Sequence, residues 1–189
     1  LWRTSPAATE LEEVALAWLR QLLGLPSAFE GVIYDTASIS TLHALAAARE
    51  RPITGVRTTG LPPGTSYAVY CSDQAHSSVD KAVILLGFGH DALRRVRSDD
   101  DFRMRLDALR DAIEQDRAAG VTPVAVIATV GTTSTTSVDP VPEIAEVCAR
   151  ENVWPHVDPA YGGVAAMIPG SEQLLAGAAT ADSLVVNPH

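Results

Sequence analysis

At 189 residues the chain has the size of one domain with a real interior, and 47% hydrophobic residues suit a globular core. The formal net charge of -9 excludes the basic surplus that nucleic-acid phosphates or an anionic membrane surface demand. Two cysteines, Cys71 and Cys148, make neither a disulfide framework nor a metal site, so a reducing, cytoplasmic setting is expected.

The first predicted helix is Thr9 to Leu23. Thr9 and Glu12 have capping-box spacing, Leu11, Val14, Trp18 and Leu22 share one face, and Gly24 closes the helix. A second helix is predicted from Ser38 to Arg49, stopping before Pro52. The Gly, Pro and Thr content from Pro52 to Ser66 reads as loop. Tyr67 to Cys71 reads as a buried strand, Ser77 to Leu86 as a helix, and Arg94 to Arg97 as a weak strand. Leu106 to Ala118 is predicted helical with a polar outer face. The β-branched run Val124 to Val130 suits a strand covered on both faces. A helix over Val141 to Arg150 and strands over Val153 to Val157 and Ser183 to Val186 complete the chain. No apolar run approaches the length needed to cross a bilayer.

Strands alternate with helices, which predicts an α/β fold with a mostly parallel sheet flanked by helices. In such sheets ligands sit beyond the carboxyl ends of the strands, so the residues following each strand carry the functional question.

Four such places stand out. The apolar Gly31-Val32-Ile33, treated as one strand end, is followed by Asp35-Thr36-Ala37-Ser38 and a helix. Unpaired N–H groups there can hold a phosphate, with the Ser38 hydroxyl as a further donor. Ser38 or Thr36 can equally serve as a plain helix cap, which is the commoner role. Tyr67 to Cys71 leads into Ser72-Asp73-Gln74-Ala75-His76-Ser77-Ser78; His76 lies near a helix start, with capping assigned to Asp73 or the serines. Val124 to Val130 leads into Gly131-Thr132-Thr133-Ser134, a hydroxyl cluster that on its own is ordinary turn chemistry. Val153 to Val157 leads into Asp158, then Pro159-Ala160-Tyr161-Gly162-Gly163. A carboxylate at the end of an apolar strand is costly to bury unless paired. Together the four places supply an anion cradle, a ring-sized platform, hydroxyl donors and one deep carboxylate, the set a phosphorylated cationic heteroaromatic cofactor needs.

These blocks carry a resemblance. Ser5 to Glu12 (SPAATELE), Thr36-Ala37-Ser38, Ser72 to Ser78 (SDQAHSS), Gly131-Thr132-Thr133, His156 to Tyr161 (HVDPAY) and Asn187-Pro188-His189 occur in order along nearly the whole chain. In this the chain resembles the group II decarboxylases dependent on pyridoxal 5'-phosphate (PLP), the family of aromatic L-amino-acid decarboxylase. The resemblance implies a fold type I, PLP-dependent transferase-like large domain, spanning residues 1–189 and incomplete at both ends. It implies decarboxylation of an L-amino acid, an aromatic one being expected, by a homodimeric parent enzyme. Asp158 would pair with the protonated ring nitrogen. His76 would stack on one ring face and help orient the substrate, making these two the catalytic pair. Ala160 would pack on the opposite face. Ala37, Ser38, Asn187 and His189 would hold the phosphate, and Thr133 would bond near the ring substituents. No metal, nucleic acid or membrane enters this picture.

The family's Schiff-base lysine is expected immediately after His189. Lys81, the only lysine in the chain, sits on a polar helix face and is not assigned that role. The piece by itself is therefore expected to be inactive. Tyr34-Asp35 and Pro159 depart from the family pattern without removing a cofactor contact. Alternatives on the same fold are an aldehyde synthase, a glutamate-type decarboxylase or a more distant PLP lyase; an inactive PLP-binding module is a reading of another class. The Gly87-Phe-Gly89-His-Asp-Ala92 pattern resembles a dinucleotide turn, but the apolar run before it fits a helix rather than the required strand.

Overall fold

The computed structural model describes residues 2–188. Its centre is a five-stranded sheet of β1 (Ser66–Ser72), β2 (Leu93–Val96), β3 (Val121–Thr129), β4 (Trp154–Asp158) and β5 (Ser183–Leu184). The order is β2-β1-β3-β4-β5, and every strand pair is parallel. The chain reverses its direction of growth between β1 and β3, the point at which open α/β sheets form a crevice.

Two layers of helix cover the sheet. On one face, α5 (Leu106–Ala118) and α6 (Val141–Glu151) bury Leu109, Ile113, Ile144 and Val147 against Tyr70, Val126, Ala128 and Val157. On the other, α2 (Ala37–Glu50) and α4 (Ser78–Leu85) bury Leu45, Val79 and Val83 against Val69, Cys71, Ala125 and Ile127. Successive β3 residues thus serve opposite faces, as the period of two requires. The strand begins three residues earlier than its apolar run predicts. The pairing slips between Ala68 and Val69, where Ala68 faces Pro123 and Val69 faces Ala125. Pro123, which lacks an N–H, is accommodated at that irregularity. The predicted loop from Pro52 to Ser66 contains one short helix, α3 (Val56–Thr59).

The amino-terminal region corrects two expectations. Gly31–Ile33 is not a strand: it is irregular, with Val32 and Ile33 exposed. Among the described residues no strand is placed to pair with it, and its anchors are a bond from Ile33 N to Glu12 Oε1 (2.8 Å) and Tyr34 stacked on His43. Glu12 therefore does not close a capping box. The first helix, α1 (Pro6–Leu22), starts with Pro6 after Ser5, which makes no side-chain cap. The predicted apolar stripe of α1 does share one face, and that face is exposed. Its opposite side meets the segment after it, through Arg20 Nη1 on the Ser27 and Phe29 carbonyls and Leu16 against Gly31.

Candidate functional site

All strands run parallel, so their carboxyl ends share one edge of the sheet. His76 follows β1, Thr133 follows β3, Asp158 ends β4 and Asn187 follows β5.

The orientation of α2 brings its start to the same edge. Arg51, just past its last turn, bonds Asp182 at 2.8 Å and lies 4.7 Å over the Trp154 ring. Asp182 precedes β5 and Trp154 opens β4, so the end of α2 sits at the amino edge of the sheet. A helix of 14 residues spans about 21 Å at ~1.5 Å per residue, enough to carry its start across to the carboxyl edge. The turn Thr36-Ala37-Ser38 and the Asp158 carboxylate therefore belong to one edge. Thr36 takes the capping role, its side chain accepting from Ile39 N (3.3 Å), which leaves the half-buried Ser38 hydroxyl uncommitted at the helix start.

Three loops interlock around Asp158. Val130 N donates to Asp158 O (3.0 Å), Gly162 N donates to Val130 O (3.1 Å), and Asn187 N donates to Ala160 O (3.3 Å). The approach is close enough that a Cβ on Gly162 would stand 2.6 Å from the Val130 carbonyl oxygen. Glycine is required there by contact. Asp158 is only 6% exposed, and its Oδ1 accepts from Ala160 N at 3.1 Å. One carboxylate oxygen is thereby held by the turn, and Oδ2 remains for another donor.

His76 is exposed, and its Nδ1 accepts from Ser78 N (3.1 Å), which leaves Nε2 outward. The capping role predicted for Asp73 or the serines goes to this imidazole, because Asp73 is drawn to Ser98 (Oγ to Oδ1, 2.8 Å). The two threonines after β3 divide their labour. Thr132 is buried and bonds Thr135 and Ser137, shaping the turn, while Thr133 is exposed on it. His189 lies outside the described residues. Lys81 is exposed on α4, away from the Val79, Ala82 and Val83 stripe that packs inward. Gly87 and Gly89 follow α4 rather than a strand, so the dinucleotide pattern lacks its context.

Sequence reasoning missed Asp139. Its carboxylate is buried and accepts from Met104 N (2.7 Å) and Thr129 N (2.8 Å), bracing the end of β3. Burial pushes it up to about 6, against the pull of those two bonds. Lying just ahead of a helix, it reads in the sequence as an ordinary cap. The two thiols are buried and inert: burial pushes both Cys71 and Cys148 up to about 12. Among the described residues no cluster of His, Cys, Asp and Glu could hold a metal, and no helix is long and apolar enough to cross a membrane.

The donor set fits a phosphorylated ring with a cationic nitrogen. A helix start with a free hydroxyl suits the phosphate, a deep carboxylate with one oxygen unspent suits the nitrogen, and a flat imidazole suits a ring face. Comparison with known proteins agrees. The family described as pyridoxal-dependent decarboxylase conserved domain matches residues 1–189. Aromatic-L-amino-acid decarboxylase of Mus musculus is 45% identical over 202 residues, covering all of this chain and 41% of that protein. Histidine decarboxylase of Homo sapiens is 40% identical, over 99% of this chain and 30% of that protein. The crystal structure of Oryza sativa TDC with PLP and tryptamine superposes with a TM-score of 0.92 at 40% identity, covering all of this chain and 40% of that one. The chain thus spans less than half the length of the relatives it matches. By the match over its whole length, it belongs to the pyridoxal-dependent decarboxylase family.

Proposed function

We propose that this chain is the cofactor-binding part of a PLP-dependent L-amino-acid decarboxylase acting on an aromatic amino acid. The observation that carries the reading is the Asp158 carboxylate on the same sheet edge as the start of α2. In this reading Asp158 holds the ring nitrogen in its protonated form, since a nearby opposite charge favours the cation. The backbone at Ala37 and Ser38, with Asn187 and His189, holds the phosphate. His76 covers one ring face and Ala160 the other, and Thr133 bonds near the ring substituents. When bound, the cofactor supplies an electron sink for the bond that releases CO₂. The protein's contribution is orientation of the scissile carboxylate and a site whose charges are set in advance.

The same reading includes a cytoplasmic location, supported by two buried free thiols, and a homodimer, supported by exposed apolar side chains on α1. Absorbance of the full-length protein with added PLP tests the core of it. A visible band that borohydride removes, with the label on the residue after His189, is expected. Asp158→Ala is expected to lower CO₂ release by orders of magnitude; unchanged turnover refutes the assignment. A panel of amino acids then identifies the substrate.

A further inference from the structure

His76 owes its orientation to the turn that precedes it. Ser72 ends β1, and Ala75 N donates back to Ser72 O at 3.1 Å, so the chain folds over just before it reaches the imidazole. The middle of that turn is tied to β2 and the residues after it: Asp73 N donates to Val96 O (2.9 Å), and Ser98 Oγ donates to Asp73 Oδ1 (2.8 Å). The two ends of the turn are tied by one guanidinium. Arg95 Nη1 donates to Ser72 O and to Ala75 O, each at 3.1 Å. Its Nη2 pairs with Asp80 in the first turn of α4.

Arg95 reaches this place by register. It is the cross-strand partner of Cys71, whose side chain is buried with Val79 and Val83 of α4. Cross-strand partners share a sheet face, so Arg95 stands on the α4 side of the edge strand β2. One side chain thus joins the end of β1, the start of α4 and β2. Beyond the turn, Ser78 N donates to His76 Nδ1 at 3.1 Å. A backbone N–H only donates, so Nδ1 is bare and the neutral ring carries its proton on Nε2.

Resting on the function proposed above, in which His76 covers a ring face, we propose that Arg95 is a positioning residue for His76. Its guanidinium, aimed by Asp80, clasps both ends of the turn at 72–75 and fixes the plane in which the imidazole is presented. A planar fork suits this task, because one group must meet two carbonyls and a carboxylate together. Arg95 acts through His76 alone.

The test is a double-mutant cycle in the full-length protein. Arg95→Met is expected to lower kcat for CO₂ release about tenfold or more, since a displaced group near the reacting centre loses its orientation. With His76→Ala already in place, the same change is expected to cost less than about twofold, because no imidazole is left to misplace. Equal losses in the two backgrounds overturn the inference, as does undiminished turnover in Arg95→Met. A second readout needs no cofactor. At a pH where the ring is neutral, the ¹⁵N resonances of His76 in the cofactor-free protein are expected to be those of the Nε2–H tautomer. In Arg95→Met they are expected to draw toward each other as Ser78 N loses its hold on Nδ1; unmoved resonances overturn the inference. Should Arg95→Met fail to fold, Arg95→Lys serves in its place, since an ammonium has no fork to span both carbonyls. The gap between the two His76 backgrounds is then expected to be about threefold or more, and equal losses again overturn the inference. Additive losses in an enzyme that releases CO₂ sink this inference alone. No CO₂ release by the unmodified full-length protein from any amino acid sinks the proposed function and this inference with it.

Discussion

The helices α6 and α1 carry the same kind of apolar stripe and meet opposite fates. In α6, Val141, Ile144, Val147 and Cys148 recur at helical spacing and are all buried against the sheet. In α1, Leu11, Trp18 and Leu22 recur at helical spacing and are each more than 60% exposed. The pattern alone says that a helix has an apolar partner. It does not say that the partner lies within the same stretch of chain. The sheet region supplies α6 with its partner, and α1 leaves its stripe exposed.

The largest effect that can break this contrast belongs to the core. Leu109 is fully buried between α5 and the sheet, so Leu109→Ala is expected to destabilise the chain by about 3 kcal/mol, through lost burial and a residual cavity. Urea unfolding measures it, and a change under ~1 kcal/mol would mean that α5 is not packed as described.

Next in size is a pH dependence confined to the sheet region. Asp139 joins β3 to the start of α6, and burial pushes its folded pKa from 3.8 up to about 6. A carboxyl raised on folding binds its proton more tightly in the folded state. Its contribution is therefore fully present below about pH 4 and is lost as pH rises through about 6. A shift of roughly two units corresponds to about 3 kcal/mol at most. The stability gap between the unmodified chain and Asp139→Ala is thus expected to narrow from pH 4 to pH 8. Urea midpoints across that range check the sign, and a widening gap refutes it. A smaller effect, about 1 kcal/mol, is expected for Tyr70→Phe. Its hydroxyl donates to Asp116 Oδ2 at 2.8 Å inside the core, but Arg94 continues to pair with that carboxylate.

What the sequence disclosed divides along the same line. The bounds of α5 were readable to the residue, because Leu109, Ile113 and their polar neighbours mark one face without interruption. The two-sided burial of β3 was readable from its unbroken apolar run. The Asp158 position was readable too, since a carboxylate closing an apolar strand is chemically conspicuous. Gly31–Ile33 misled because three apolar residues carry no period, and pairing depends on a neighbour that the sequence does not name. His156 was hidden for a different reason. Its buried ring meets Ser183 Oγ at 2.8 Å, 27 residues away, brought alongside only by the register of β4 with β5. Local pattern reveals elements; it does not reveal which side chains two strands will set beside one another.

The smallest effect in this chain is the sharpest test of the contrast. Trp18 and Leu22 are each exposed by 63%, so Trp18→Ser with Leu22→Ser is expected to change the unfolding free energy of the 189-residue chain by less than about 0.5 kcal/mol. In the full-length protein the expectation reverses. If a second subunit or a further part of the chain covers α1, the same two changes remove buried apolar surface and replace it with hydroxyls. A shift to a slower-sedimenting species would assign the cover to a second subunit. A fall in unfolding stability with sedimentation unchanged would assign it to the same chain. Silence in both measurements would mean that the stripe on α1 is exposed in the whole protein as well, and the distinction drawn between the two helices would be one of solvation alone.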